Sequence, residues 1–360
     1  MTFNLDQVPK EFRARCLELQ SAYDFTSDST KGANGYLIFA RNKQLGRKVA
    51  IKFYYWGDGS HVEPANLAKL EHESVLSVDH AEAIDKDYAF FVARYCEGVD
   101  LDSWLDSHNH SLNAAIRAFE QVAAGVSYIH SKNYVHRDLK PSNIFVLSPG
   151  RFVLGDFGSV LALGSDGSAK SITKHSILYR PPEDFDRDLF SRRGDIYQLG
   201  LLMYQLLGGH LPYDVSAWLS PAEKKKFADL AGIDADVFAS SVMQKKIQGG
   251  RVLNFDTLPF YIPTKLRTII RRATRVNMAD RYNSVADMLG DLNNAMQRTF
   301  DWVLEDGHWI ASGKNCAYRC FEVGCSVVVE KRRTSGWRRD NSFNPADLRR
   351  AAQMIEDCLC

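Results

Sequence analysis

The chain has 360 residues, 45% hydrophobic and 25% charged, with a formal net charge of +1; it exceeds one typical domain and suits a two-part domain with an appendage. So even a balance of charge gives no general reason to expect nucleic acid or a membrane surface as partner. No run reaches the roughly 18 apolar residues of a membrane span, no basic head precedes an apolar core at the start, and seven mostly isolated cysteines suit a reducing compartment, so a cytoplasmic location is expected.

In chain order, residues 1–20 read as an N-terminal extension. Thr30-Lys31-Gly32-Ala33-Asn34-Gly35-Tyr36-Leu37 holds two glycines, Gly32 and Gly35, that permit close backbone approach, and Val49-Ala50-Ile51-Lys52 is an apolar run that ends on a lysine. Glu63 directly precedes Pro64. A residue before proline is pushed out of the α region, and an interior proline costs about 3 kcal/mol, whereas the first helical position tolerates it. A helix is therefore expected to start near Pro64, with Glu63 at its very beginning. Further on stand His136-Arg137-Asp138-Leu139-Lys140-Pro141-Ser142-Asn143, then Asp156-Phe157-Gly158, a hydroxyl-rich segment, Arg180-Pro181-Pro182-Glu183 and Asp195-Ile196-Tyr197-Gln198-Leu199-Gly200. Residues 215–242, with Lys224-Lys225-Lys226, read as a helical insertion whose charge run is a solvated face.

Beyond residue 299 the pattern changes. Residues 308–312, 318–323 and 326–331 read as short strands, with Gly324 turning the last pair. Asn344-Pro345-Ala346-Asp347 has the features of a helix start, and Leu348, Ala351, Ala352, Ile355 and Leu359 then share a face. Residues 300–360 are thus expected to form a β-β-β-α accessory module. They hold nine basic and nine acidic side chains, so the arginines flanking Trp337 are a local cluster. That cluster reads as a solvated or protein-contacting surface, which makes a protein partner the expectation and nucleic acid not. Cys316, Cys320 and Cys325, two of them expected in strands, lack paired metal-ligand spacing and read as structural thiols.

From about Tyr23 to about Arg298 these segments resemble, in order and spacing, the eukaryotic-type serine/threonine protein kinases. The resemblance implies an α+β bilobal protein-kinase fold, with a β-rich N-lobe over 21–95 and a mainly helical C-lobe over 96–299, followed by the small α+β appendage. It implies ATP and Mg2+ as cofactors and the Ser or Thr hydroxyls of proteins as substrate, with self-phosphorylation expected. Lys52 would hold the α and β phosphates with Glu63 as its partner, and Gly32 and Gly35 would lie against the phosphates. Leu37, Ala50 and Phe145 would sandwich adenine. Arg94, Tyr95 and Cys96 would form the hinge beyond a gatekeeper at Ala93, and Asp100 would reach the ribose.

The same resemblance makes Asp138 the base, sets Lys140 against the γ-phosphate and makes Asn143 and Asp156 the metal ligands. Phosphoryl transfer passes through a loose transition state, so positioning and charge neutralisation carry the catalysis, and a base adds about 10²- to 10⁴-fold. Two carbonyl or carboxylate oxygens suit Mg2+, which fills its remaining positions with phosphates and water. Glu183 with Arg281 resembles a buried ion pair of the family, and Asp195 an acceptor for backbone of the catalytic loop. Arg137 resembles a residue that meets an activation-segment phosphate. Ser171 or Thr173 is the expected phosphosite, with Ser176 beside Lys140. The alternative is a nucleotide-binding scaffold acting through the C-terminal module: Thr30, where the family has glycine, and Pro64 favour it, and the quartet Lys52, Asp138, Asn143 and Asp156 opposes it.

Overall fold

The computed structural model describes residues 3–29, 35–56, 64–107, 110–148, 150–170, 176–187 and 189–358. The strand Tyr36–Asn42 buries Tyr36, Ile38 and Ala40 in alternation, and Lys48–Tyr55 pairs Val49, Ile51 and Phe53 with them. Period-two burial of this kind places one residue set on each side of a sheet. The sheet comprises β1 (Tyr23–Ser29), β2 (Tyr36–Asn42), β3 (Lys48–Tyr55), β4 (Val78–Ala83) and β5 (Tyr88–Arg94), antiparallel in the order β1-β2-β3-β5-β4. Residues 1–20 are more than an extension. Helix α1 (Lys10–Leu19) lays Phe12 and Cys16 with Val8 against Ile38, Ile51, Phe53 and Val92, and Phe12 stacks on Phe53 at 4.9 Å. One side of the sheet is thereby closed, and Leu37, Ala50 and Lys52 face the other.

Helix α2 (Pro64–Leu67) is a single turn beginning at Pro64, where the proline rule puts a helix start. A hinge leads through β6 (Val99–Asp100) into α3 (Leu101–Ser107) and α4 (Leu112–Ser131), whose buried stripe runs from Leu112 to His130. Strands β7 (Tyr134–Val135), β8 (Ile144–Ser148), β9 (Arg151–Leu154) and β10 (Leu161–Ala162) carry the site loops, in sheets β6-β8-β9 and β10-β7. Strand β11 (Ser168–Lys170) pairs with β12 (Leu189–Ser191) across the short α5 (Asp184–Arg187). Helix α6 (Arg192–Leu206) is apolar nearly all round and runs through the middle of the core. The segment expected as an insertion holds α7 (Pro221–Ala228) and the first part of α8 (Ile233–Gln248), whose last turns, beyond residue 242, are held by the buried Met243 and Ile247. Helices α9 (Thr264–Ala273) and α10 (Val285–Met296) complete this lobe.

The C-terminal module departs from the β-β-β-α expectation. It is a five-stranded antiparallel meander of β13 (Asp301–Glu305), β14 (His308–Ser312), β15 (Ala317–Val323), β16 (Ser326–Arg333) and β17 (Gly336–Arg339), followed by α11 (Leu348–Glu356). The first added strand is joined by Asp306 and Gly307, both at positive φ, which is the two-residue hairpin geometry. The second is an arginine-rich edge strand held by its ladder to β16 and carrying no apolar alternation, and charged edges are the usual way to leave a sheet border unpaired. The cap of α11 is Asp347, which accepts the Arg350 N–H at 2.7 Å, so the helix starts later than Asn344. Of Cys316, Cys320 and Cys325, Cys320 alone lies in a strand and is buried, while Cys325 is exposed in a turn. Trp302, Ala311, Tyr318, Cys320 and Val329 share the inner sheet face and join Ile355 and the C-lobe residues in one continuous core. Trp302 stacks on Tyr261 at 5.6 Å, and Asp301 accepts the Asn113 N–H at the start of α4 at 2.8 Å. No described helix is long and apolar enough to cross a membrane.

Candidate active site

The loop over residues 136–143 is hung from α6. Asp195, fully buried, accepts the backbone N–H of His136 at 2.9 Å and of Arg137 at 2.8 Å, and a third bond, from His130 Nε2, is 2.7 Å. One turn on, Gln198 accepts the Leu139 N–H at 3.0 Å and donates to the Arg137 carbonyl at 2.7 Å. Two polar side chains at i and i+3 on an otherwise apolar helix thus satisfy backbone groups that burial would leave costly. Arg137 sits at φ 73°, a left-handed conformation that these bonds hold in place. Its guanidinium is buried, donating to the Ser159 carbonyl at 3.3 Å and lying over the Phe190 ring. Burial pulls the His136 imidazole below its ordinary pKa against the opposing pull of Asp195, the Gly155 carbonyl, Asp138 and Asp156. The neutral ring donates from Nε2 to that carbonyl at 3.0 Å, which ties the loop to the segment beginning at Gly155.

Asp138 is 1% exposed. Its Oδ2 receives Lys140 Nζ and Asn143 Nδ2, each at 2.8 Å, and its carbonyl receives the same Asn143 nitrogen at 2.7 Å. Its Oδ1 is buried without a hydrogen-bond partner. An unpaired buried acceptor is costly and calls for a functional explanation. With the Asn143 nitrogen committed, its amide oxygen is the atom left to offer a cation. Gly155 donates to the Asn143 carbonyl at 2.9 Å, so Asp156 lies directly beyond. Asp156, at φ 57°, accepts the Gly158 N–H and forms an ion pair with Lys52. Burial raises the Asp156 pKa, yet the Lys52 charge and hydrogen bond, with His136 and Lys140, outweigh it and hold the carboxyl below its ordinary range. Four residues from three separate chain segments therefore meet in one place.

The register of the first sheet puts Leu37 opposite Lys52, and Ala50 opposite both Phe39 and Ala93. Paired residues share a face, so Leu37, Ala50, Lys52 and the buried Ala93 line the side that α1 leaves open. Gly35, at φ 143°, presses against β3: a Cβ there would lie 2.0 Å from the Phe53 carbonyl oxygen. Arg94 ends β5, and Tyr95 donates to the Lys48 carbonyl at 3.2 Å, which draws residues 94–96, Cys96 included, along the sheet edge. Asp100 caps α3 by accepting the Ser103 N–H at 2.8 Å, and pairs across β6-β8 with Phe145, whose ring lies against Gly155. Gly32, Glu63, Ser171 and Thr173 lie outside the described residues. Among the described residues the carboxylate paired with Lys52 is Asp156, a partner that sequence spacing did not suggest because the two stand 104 residues apart.

A family model described as protein kinase domain matches residues 28–290. The interferon-induced, double-stranded RNA-activated protein kinase of Mus musculus is 30% identical over 195 residues, 49% of this chain and 38% of that protein. The serine/threonine-protein kinase PrkC of Bacillus subtilis is 28% identical over 275 residues, 73% of this chain and 38% of PrkC. The serine/threonine-protein kinase PknL of Mycobacterium tuberculosis is 28% identical over 291 residues, 76% of this chain and 65% of PknL. The chain spans less than two thirds of the length of each of these relatives.

Proposed function

The chain belongs to the protein kinase family, and we propose that it transfers the γ-phosphoryl group of ATP to serine or threonine hydroxyls of proteins, itself included. The observation that carries this reading is the Asp138 carboxylate, buried, with one oxygen held by Lys140 and Asn143 and the other unpartnered. Such an oxygen is suited to accept the hydrogen bond of an incoming hydroxyl, aim its lone pair and take its proton late in the transfer. Lys140 holds Asp138 in place and offers its charge to the transferring group. The relatives, serine/threonine kinases by name, do not favour the scaffold alternative.

The donors present fit Mg2+. The Asn143 amide oxygen and the Asp156 carboxylate, depressed in pKa and so ionised, are hard oxygen ligands with room for phosphate and water beside them. When bound, the metal would neutralise charge on the β and γ phosphates. Lys52, on the face of β3 that α1 leaves open and paired to Asp156, is suited to share its ammonium between that carboxylate and the α and β phosphates. Residues 94–96 offer backbone groups to adenine, with Leu37, Ala50 and Phe145 around it. The C-terminal module supports a recognition or regulatory role. The test is incorporation of labelled phosphate from Mg·ATP into the protein and a generic basic substrate. We expect Asp138→Asn to fold as the wild type and lose about 10²- to 10⁴-fold in rate; an undiminished rate would overturn the assignment.

A further inference from the structure

Strand β17 ends the module's sheet, and among the described residues no strand pairs with its outer edge. The opposite border is tied down: Asp301 of β13 accepts the Asn113 N–H of α4 at 2.8 Å. An open edge presents backbone N–H and C=O groups that another strand can complete. Around this one stand Lys331, Arg332, Arg333, Arg338 and Arg339, and all four arginines are exposed. The acids beside them are committed elsewhere. Glu330 pairs with Arg319 at 2.5 Å, and Asp340 accepts the Ser342 hydroxyl at 2.6 Å and its N–H at 3.2 Å. Among the described residues no carboxylate forms an ion pair with any of the four arginines.

The charge of this edge selects what can pair with it. Like charges directly opposite each other on neighbouring strands destabilise a ladder, and opposite charges stabilise it. A second β17 would set arginine against arginine. An acidic strand would instead meet a cation on both sides of the sheet, because Arg339 shares a face with Arg332 and Trp337 while Arg338 shares the other with Lys331. Single-stranded nucleic acid would need open aromatic faces on which to stack its bases. Here the rings are already covered: the guanidiniums of Arg319 and Arg332 lie 5.1 and 5.9 Å from the centre of the Trp337 ring, and Arg319 with the edge-on His308 covers Phe321. What remains available is the backbone of β17 and its positive charge.

We propose that β17 is a docking edge for an acidic, extended segment of a partner protein, which adds to the module's sheet as a further strand. The proposal is independent of the chemistry at Asp138 and gives the module's recognition role a surface. The test uses the full chain and fluorescein-labelled peptides read by anisotropy. One peptide alternates glutamate and valine, a second has glutamine for glutamate, and a third keeps glutamate but has two successive central amides N-methylated, so that either of its edges is blocked. Wild type should bind the first about tenfold more tightly than the second, the sum of a few cross-strand charge pairs, and should lose the third. Arg338→Glu with Arg339→Glu, both at exposed positions, should reverse the preference toward a peptide alternating lysine and valine. Equal binding of the N-methylated peptide would leave charge alone and overturn strand addition. Absence of binding in wild type, or a glutamate preference that survives the charge reversal, would overturn the site. Displacement of the peptide by oligothymidine of higher affinity would reassign the edge to single-stranded nucleic acid. Self-association of wild type that the charge reversal abolishes would reassign it to a second copy of this chain, and either result overturns the proposal.

Discussion

Glu183 and Arg281 show how one residue pair can carry a lobe. The guanidinium, buried, meets the carboxylate with two bonds of 2.8 and 2.6 Å and spends its remaining donors on the carbonyls of Arg193, Arg275 and Val276. Removing one partner strands the other charge, so Glu183→Gln should lower unfolding free energy by about 3–5 kcal/mol in urea titration. At the face proposed for the nucleotide, Gly35→Ala should raise the KM for ATP, because the Cβ would strike the Phe53 carbonyl and push residue 35 away from β3; an unchanged KM would remove Gly35 from the site. The residues proposed for the chemistry could be named from the sequence at this scale. Lys52, Asp138, Asn143 and Asp156 are residue types that phosphoryl transfer demands, and each stands in a short motif. Their pairings were not legible, since the Lys52–Asp156 contact depends on how two lobes meet.

At the level of elements, α1 is the clearest addition to the sequence reading. Val8, Phe12 and Cys16 recur every fourth residue and face the sheet, a spacing that could have revealed an amphipathic helix. Its flanking composition, rich in charge, concealed it. Phe12 touches Phe53 and Tyr88, so Phe12→Ala should cost about 3–5 kcal/mol and depress nucleotide affinity along with stability. Thermal unfolding with and without ATP checks both. Strands β14, β15 and β16 were readable from apolar periodicity and turn signals. Strand β17 was not, because its pattern is charge and its order comes from backbone pairing with β16.

At the scale of the whole molecule, the C-lobe and the C-terminal module share one core, and the α1 side of the first sheet has another. Glu356, at the end of α11, accepts the Trp302 indole N–H at 2.8 Å and the Phe300 N–H at 3.3 Å, so it ties α11 to the start of the module's sheet. Burial pushes its carboxyl up from the ordinary 4.5 to about 7. The native state then binds a proton more tightly than the unfolded chain. That stabilisation is complete below about 4.5 and is lost as pH rises through about 7. Wild type should therefore lose melting temperature between those values, and Glu356→Gln should flatten the profile; an equal slope in both would exclude Glu356 as its source. From sequence alone came the bilobal family, the residues fit for phosphoryl transfer and the existence of a C-terminal α+β appendage, because motif chemistry and local periodicity are written in neighbouring residues. The tertiary structure alone decided that Lys52 meets Asp156, that α1 closes the sheet, and that the module has five strands fused to the C-lobe core. Each of these depends on contacts between residues far apart in the chain, where burial and hydrogen-bond satisfaction are settled by the packing of whole elements.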